Sequence, residues 1–554
     1  MLIDIEISDK SFGNKLLYKD LKLEIQAGEK IGLIGRNGTG KSTLIQLING
    51  QDKDYDGEII IKKGVELVYS RQEHHNFDHK TVLEYILGDL PEYSRLSHII
   101  DTYPETMGSN QQKLQIFSDA LDKFNQLGYY QVEDELKQAF INYQIDSNKI
   151  HQCLGSLSGG EKRMVELIKV ERSRADIALI DEPTNHMDFI AKEAFLKWLT
   201  STKEAVMVIT HDRDVLSVVD RIVEIRNTHC YSFKGNYEDY LRINSNQVTN
   251  QLNEYELTMR QIVNLENDVI RFRRLKEKAR DPGTIHRFKS QELKALKVIK
   301  ELKTIEKPSF WIDQQSVTAM NDKITQSYER HKAPNIRLTT RTKTVSATNR
   351  CLMRINKLSL GYGATPLFKD LTFNVNEGER IRLHGRNGVG KSTIIKAIMS
   401  QLIGTQLAAK CFSGTIEIEQ VIKVGLYEQE INQAYLNLTL YEVIEALLRE
   451  KQMPISDQKI KQLMGDFLFH PMSDAHIKVR TLSGGQKARI QLIGMLINDP
   501  QLLILDEPTN HLDLPSIEEL ENAMSDYHGA IIYISHDSFF AQKIGGSTIL
   551  LEDK

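Results

Sequence analysis

The sequence predicts an α/β chain built from two P-loop domains joined by an antiparallel helical hairpin. Three observations carry that expectation. One set of motifs occurs twice in the same order, each glycine loop follows a strand-like run and opens a helix-like one, and a long polar segment with apolar residues at helical spacing separates the two sets.

The repeated motifs are nearly identical. GRNGTGKST covers Gly35, Arg36, Asn37, Gly38, Thr39, Gly40, Lys41, Ser42 and Thr43; GRNGVGKST covers Gly385, Arg386, Asn387, Gly388, Val389, Gly390, Lys391, Ser392 and Thr393. LSGG follows at Leu157 and Leu482, DEPTNH at Asp181 and Asp506, and a His-Asp pair at His211 and His536. Ser158 and Ser483, Glu182 and Glu507, and His211 and His536 are each 325 residues apart, whereas Lys41 and Lys391 are 350 apart. The difference lies before the signature. Gln72 precedes Leu157 by 85 residues and Gln429 precedes Leu482 by 53, so the first half holds extra chain within about 85–150. There DALDKFNQLGYYQVEDELKQAF reads as helix, either as a surface embellishment or as an arm that touches a partner.

Strand, glycine loop and helix are the context a P-loop requires. KIGLIG and RIRLHG run into the loops, and KSTLIQLIN and KSTIIKAIM leave them. Such loops wrap backbone amides around phosphate oxygens, with Lys41 and Lys391 reaching the β/γ-phosphates of ATP and Ser42 and Ser392 able to ligate Mg²⁺. Asp181 and Asp506 end the apolar runs IALI and LLIL, where a carboxylate can hold the Mg²⁺ water shell. The adjacent Glu182 and Glu507 are the expected general bases, able to polarise the water that attacks the γ-phosphate. His211 and His536 follow VMVIT and IIYIS and can bond the γ-phosphate or that water; Gln72 and Gln429 fit glutamines that sense Mg²⁺ and water. Ser158, Gly159 and Gly160, and likewise Ser483, Gly484 and Gly485, precede amphipathic helices whose amides can face a phosphate.

P-loop, glutamine, LSGG, Asp-Glu and histidine in this order resemble ATP-binding-cassette domains. The resemblance implies two ATP molecules sandwiched head to tail. Lys41, Glu182 and His211 would work with Ser483–Gly485, and Lys391, Glu507 and His536 with Ser158–Gly160. It also implies an aromatic stacked on each adenine, a place that Phe12 and Tyr362 match.

Whole-chain properties bound the partners. The 554 residues are 40% hydrophobic and 26% charged with a formal net charge of −4, as in a soluble globular chain, and bulk charge points to no nucleic acid. No apolar run approaches the ~18 residues of a membrane span, and MLIDIEISDK reads as a first strand rather than a secretory signal. Cys153, Cys230, Cys351 and Cys411 lie far apart without metal-ligand spacing, which suits a reducing cytoplasm.

The first domain is expected over 1–243, the linker over 244–345 and the second domain over 346–554. Within the linker, residues from Asn246 to Ala279 read as one helix of about 50 Å, RDPG at 280–283 as its break, and residues from Ser290 to Lys307 as the returning helix. Residues 271–307 hold thirteen Lys or Arg against five Asp or Glu, a local net of +8. A basic projection of this kind suits a phosphate backbone read by charge and shape. Two fused cassettes, EPTNH in both and a hairpin linker are similar, over essentially the full chain, to the ABC-F family. That resemblance implies a monomer whose cassettes pair within one chain, bound at the ribosomal E site. The tip near 278–292 would point toward tRNA and the peptidyl-transferase centre, with hydrolysis permitting release. No C-terminal coiled extension is expected after Lys554. Antibiotic resistance by ribosome protection and relief of stalled translation both fit. A transporter ATPase subunit gives no reason for the basic hairpin, and a DNA-associated ATPase would place its coiled coil inside a cassette.

Overall fold

The computed structural model describes residues 1–13, 15–71, 77–106, 108, 110–185, 187–303, 328, 335–338, 350–403, 408–419, 422–428 and 431–551. They form two compact units, one of Met1–Tyr237 with Ile336–Lys554 and one of Glu238–Asn335. Among the described residues no helix is long and apolar enough to cross a membrane.

The first half of the larger unit contains β1 (Ile3–Phe12), β2 (Lys15–Ile25), β3 (Lys30–Gly35), β4 (Asp56–Ile61), β5 (Leu67–Tyr69), β6 (Ile177–Asp181), β7 (Ala205–Ile209), β8 (Arg221–Arg226) and β9 (His229–Lys234). An antiparallel sheet runs β2–β1–β4, and a second runs β5–β6–β7–β3–β8–β9, parallel except for β9. The second half repeats the plan with β10 (Cys351–Tyr362), β11 (Thr365–Asn376), β12 (Arg380–Gly385), β13 (Lys410–Ile418), β14 (Val424–Tyr427), β15 (Leu502–Asp506), β16 (Ala530–Ile534) and β17 (Ser547–Leu551). Its sheets run β11–β10–β13 and β14–β15–β16–β12–β17.

Sequence explains the layering. IALID, AVMVI, LLILD and AIIYI are buried at every position. Parallel strands covered on both faces need such unbroken apolar runs. Helix Lys41–Ile48 puts Leu44, Ile45, Leu47 and Ile48 into one core with Ile3, Ile5, Leu33 and Leu179. Each such side chain contributes ~1.5–3 kcal/mol by leaving water. Helix Lys391–Ile403 does the same in the second half. The strand order then sets the carboxyl ends of β6, β7 and β3 side by side, and likewise β15, β16 and β12, where ligands of open α/β sheets bind.

A helical layer precedes each signature. The second half uses Leu440–Glu450 and Asp457–Asp466; the first uses Val82–Asp89, Tyr93–Thr106, Gln111–Gln126 and Val132–Asn142. Thr81 and Thr439 open the leading helices with matching capping boxes. The pair Tyr93–Thr106 and Gln111–Gln126 is therefore the extra chain of the first half. Its base is an aromatic cluster, with Tyr93 5.6 Å from Phe124 and 5.2 Å from Tyr129 between ring centres. The run 119–140, expected as helix, is split at Gly128 (φ 73), followed by a short 3₁₀ turn over Tyr129–Gln131.

The two halves differ inside this layer. In the first, buried Lys169 lies 2.8 Å from Glu166 and 3.1 Å from Asp89; Arg71 pairs with Asp89, and the Tyr85 hydroxyl donates to Glu166. At the matching points the second half has Gly494 and Leu447. A Cβ on Gly494 would meet Leu447 at 3.1 Å.

The smaller unit is a hairpin of Tyr237–Lys278 and Pro282–Leu302. The returning helix begins at Pro282, eight residues before the expected Ser290. Asp281 accepts from the Thr284 amide at 2.8 Å, and proline fits the first helical turn because its missing N–H has no intrahelical partner there. The turn is thus Ala279–Asp281, and the first helix starts at Tyr237 rather than Asn246. Ile262, Val269, Ala295 and Ile299 form the seam, and Glu292 binds both Arg273 and Lys276 at 2.7 Å. Residues 304–307 of the basic segment and the expected boundary at 345/346 lie outside the described residues. Ile336 and Leu338 pack into the core of the second half.

Candidate active site

Each P-loop is shaped by glycines that no other residue could replace cheaply. Gly40 has φ 99, and a Cβ there would lie 2.6 Å from the Tyr18 hydroxyl; Gly390 has φ 105, with Phe368 at 3.0 Å. Both conditions exclude a side chain. Lys41 Nζ donates to the Gly35 and Arg36 carbonyls at 2.6 and 3.2 Å, and Lys391 Nζ to Gly385 and Arg386 at 2.6 and 2.8 Å. Both ammonium groups are thereby folded over their own loops.

The acids converge there. Asp181 ends β6, and neither of its buried oxygens has a well-formed hydrogen bond among the described residues; burial raises its pKa while the neighbouring Ser42 hydroxyl opposes the rise. Asp506 and Ser392 repeat this relation. A carboxylate and a hydroxyl with unused oxygen valence fit Mg²⁺, which takes few protein ligands when phosphates and water complete its shell. That is compatible with finding, among the described residues, no cluster of three His, Cys, Asp or Glu able to hold a metal.

Glu182 and Glu507 adopt φ 46 and 51, a left-handed conformation uncommon for glutamate. Their amides donate to Ile209 and Ile534 carbonyls at 2.8 and 3.0 Å. Burial first, and then the neighbouring aspartate, hold both carboxyls well above the usual range. Glu182 is 3.6 Å from His211 Nε2 and Glu507 is 3.4 Å from His536 Nε2. Burial and the nearby lysine hold both imidazoles well below their usual pKa, hence neutral. Both ring nitrogens of each histidine are buried without a hydrogen-bond partner among the described residues.

The signature residues complete the opposite site. Ser158 and Ser483 cap helices Gly159–Ser173 and Gly484–Leu496. A cavity of about 540 Å³ is lined by Ser158, Gly159 and Gly160 on one side and by Arg386, Asn387, Gly388, Ser392, Glu507 and His536 on the other. A Cβ on Gly485 would lie 2.1 Å from Asn37 Nδ2, so the second signature abuts the first P-loop. The head-to-tail arrangement is closed by reciprocal bonds. The Asn37 amide donates to Asp513 and the Asn387 amide to Asp188, each at 3.1 Å, and Asn37 Nδ2 reaches the His511 carbonyl at 2.9 Å. Phe12 and Tyr362 stand exposed, at 73% and 52%, at the ends of β1 and β10. Gln72 and Gln429 lie outside the described residues.

Several residues here were not singled out by sequence reasoning. Asp188 and Asp513 stand at the same place in both DEPTNH repeats, and that identity was their signal. Arg213, only two residues beyond His211, pairs across the interface with Glu521 at 2.7 Å. Gln144 and Ile145, which line the cavity, follow the extra helices and carried no motif.

A family model described as ABC transporter matches residues 18–185 and 368–510, and a second of the same description matches 223–319. The chain belongs to the ATP-binding-cassette family, as a twin-cassette protein of the ABC-F type. It is 30% identical to YdiF of Bacillus subtilis, named for ATP binding, over 98% of this chain and 79% of that protein. It is 28% identical to ABC transporter F family member 5 of Arabidopsis thaliana, over 100% of this chain and 75% of the other. Two solved structures share the fold. A structure named RNase-L Inhibitor has a TM-score of 0.57 at 17% identity, covering 99% of this ABC-F chain and 88% of its own. An archaeal ribosome recycling factor in complex with a ribosomal stalk protein has a TM-score of 0.56 at 16% identity, covering 99% and 87%.

Proposed function

We propose that this ABC-F chain is a ribosome-associated ATPase that hydrolyses two ATP molecules in head-to-tail composite sites. The observation that carries the reading is the shared cavity in which one cassette's signature faces the other's P-loop, glutamate and histidine. In the first site Lys41 would neutralise the β/γ-phosphates, Asp181 and Ser42 would hold Mg²⁺, and Phe12 would stack on adenine; Lys391, Asp506, Ser392 and Tyr362 would do so in the second. Gln72 and Gln429 would sense the metal and its water. Bound Mg²⁺ supplies charge neutralisation on the phosphates. Glu182 or Glu507 accepts the proton of the attacking water as its oxygen bonds the γ-phosphorus. The bond from that phosphorus to the β,γ-bridging oxygen breaks, releasing ADP and phosphate. His211 or His536 holds the γ-phosphate, and the glycines of the facing signature close on it.

The basic hairpin supports the ribosomal part, since its charge suits rRNA and tRNA backbones. The name of the archaeal fold neighbour, a ribosome recycling factor, points the same way. The chain acts in the cytoplasm as a monomer at the E site, with the hairpin turned toward the peptidyl-transferase region and the extra helices of 85–150 as a second contact. There it either protects ribosomes from antibiotics or relieves stalled translation. Glu182→Gln/Glu507→Gln protein should bind ATP without hydrolysing it and comigrate with ribosomes in a sucrose gradient only when ATP is present. Cryo-electron microscopy of that fraction, with and without peptidyl-transferase drugs, separates the two roles by whether the tip enters the drug pocket. Absence of comigration would refute the ribosomal assignment and leave the ATPase reading standing.

A further inference from the structure

The two signature helices each carry an arginine, one residue out of register. Arg163 follows Gly160 by three positions, where the second cassette has Ala488; Arg489 follows Gly485 by four, where the first has Met164. The shift changes what each arginine holds. Arg489 Nη1 donates to the Phe467 and Leu468 carbonyls, both at 2.9 Å, and its guanidinium lies 4.6 Å from the centre of the Phe469 ring. It braces its own helical layer.

Arg163 turns the other way, into the active site. Its buried guanidinium donates through Nη2 to the carbonyls of Asp181 and Glu182, the latter at 2.6 Å, and through Nη1 to Arg71 at 3.5 Å. Those carbonyls belong to the peptide units that set where the acid pair points. Glu182 sits at φ 46 and Glu507 at φ 51, so both glutamates share this uncommon conformation, and Arg163 adds a hold on the carbonyl of Glu182. Arg71 immediately precedes Gln72 and is itself fixed by Asp89 and by its amide to Glu166 at 2.8 Å. One cation thus ties together the signature helix, the end of β6 and the chain before the glutamine. Ala488 can offer no such bond in the second cassette.

The helix bearing Arg163 is capped by Ser158, which with Gly159 and Gly160 lines the cavity of the second P-loop. We propose that Arg163 is a positioning residue for Glu182 that only the first cassette possesses, so that hydrolysis in the first site depends on the signature helix serving the second. This rests on the two-site ATPase reading. Movement of the first signature on its nucleotide is passed through Arg163 to Glu182, while the reverse path through Ala488 is missing. The sites are therefore unequal although their lysines, acid pairs and histidines match.

The test is single-turnover hydrolysis by the full chain, loaded with two equivalents of ATP in the absence of Mg²⁺ and started by adding it. Wild-type protein should release two equivalents of phosphate in its first turnover. Arg163→Ala should release one at the wild-type rate and the other roughly 10- to 100-fold more slowly, the scale expected when a reacting group is misplaced. Bound ATP affinity should stay within about twofold, because Arg163 touches no P-loop group. Arg163→Lys, able to reach one carbonyl but not span three, should fall between. Adding Arg163→Ala to Glu182→Gln should change nothing further, since the group it positions is already disabled. Equal slowing of both equivalents, or of neither, would overturn the proposal. Failure of wild-type protein to release any phosphate would instead refute the ATPase reading on which it rests.

Discussion

The ion pair between Arg213 and Glu521 gives a quantitative test of how the cassettes hold together. Its two contacts, 2.7 and 3.3 Å, form a bidentate fork, and the side chains are only 11% and 5% exposed. Replacing Glu521 by Leu leaves the guanidinium buried without its partner, which typically costs about 3–5 kcal/mol. Arg213 belongs to the first cassette and Glu521 to the second, so that cost falls on closure rather than on the folding of either. When the cassettes separate, water can hydrate the stranded charge. A penalty of ~3–5 kcal/mol is a factor of about 10² to 4 × 10³ in the closing equilibrium. Arg213→Met/Glu521→Leu removes both charges and should recover most of the loss, because a buried pair is often close to neutral against apolar groups of similar size. The assay is the ATP concentration for half-maximal closure, read from a fluorophore pair, one on each cassette, in the Glu182→Gln/Glu507→Gln background. A double variant as impaired as Glu521→Leu alone, or a single variant shifted less than about threefold, would refute the reasoning.

Three further outcomes are expected. Phe12→Ala should weaken ATP binding at the first site by about 1–3 kcal/mol, the usual worth of a base–aromatic stack, with little change in melting temperature because Phe12 is exposed; isothermal titration calorimetry and a thermal melt check both halves. Lys169→Met leaves buried Glu166 without its cation, although Tyr85 still donates to it and Arg71 still holds Asp89, and should cost about 3 kcal/mol in urea unfolding of the first cassette. Replacing the exposed Arg274, Lys278, Arg287 and Lys289 by Ala should weaken ribosome binding and make its logarithmic salt dependence shallower by roughly 0.7–0.9 for each phosphate no longer neutralised, measured by pelleting across a salt series.

Much of this architecture was legible because its determinants are local. KIGLIG and RIRLHG are strands, the lysines open helices, and IALID and LLILD are buried strands ending in the acid, all visible from runs of a few residues. Boundaries were harder. RDPG looks like a breaker, yet Asp281 caps a helix in which Pro282 and Gly283 form the first turn. Gly128 was the overlooked stop in the extra segment. Contacts between distant parts were not legible from the residues themselves, and the pairing of each P-loop with the other signature came only through the family resemblance. Nothing near Asn37 announces that its amide meets Asp513, 476 residues away, and Arg163 differs from its counterpart by a one-residue shift that only three-dimensional placement makes meaningful.

The mismatched interiors of the helical layers also limit how the two halves can be recombined. Asp89 lies on the helix Val82–Asp89 and Lys169 on the signature helix, whereas Leu447 and Gly494 occupy those helices in the other half. Transplanting either helix alone would set a buried lysine against leucine, or leave a half-buried aspartate facing glycine without its cation. The two helices can be exchanged only as a set. Homologous as they are, the cassettes are not interchangeable modules, and a lineage that repeats its own sequence this closely must keep the copies distinct at this layer.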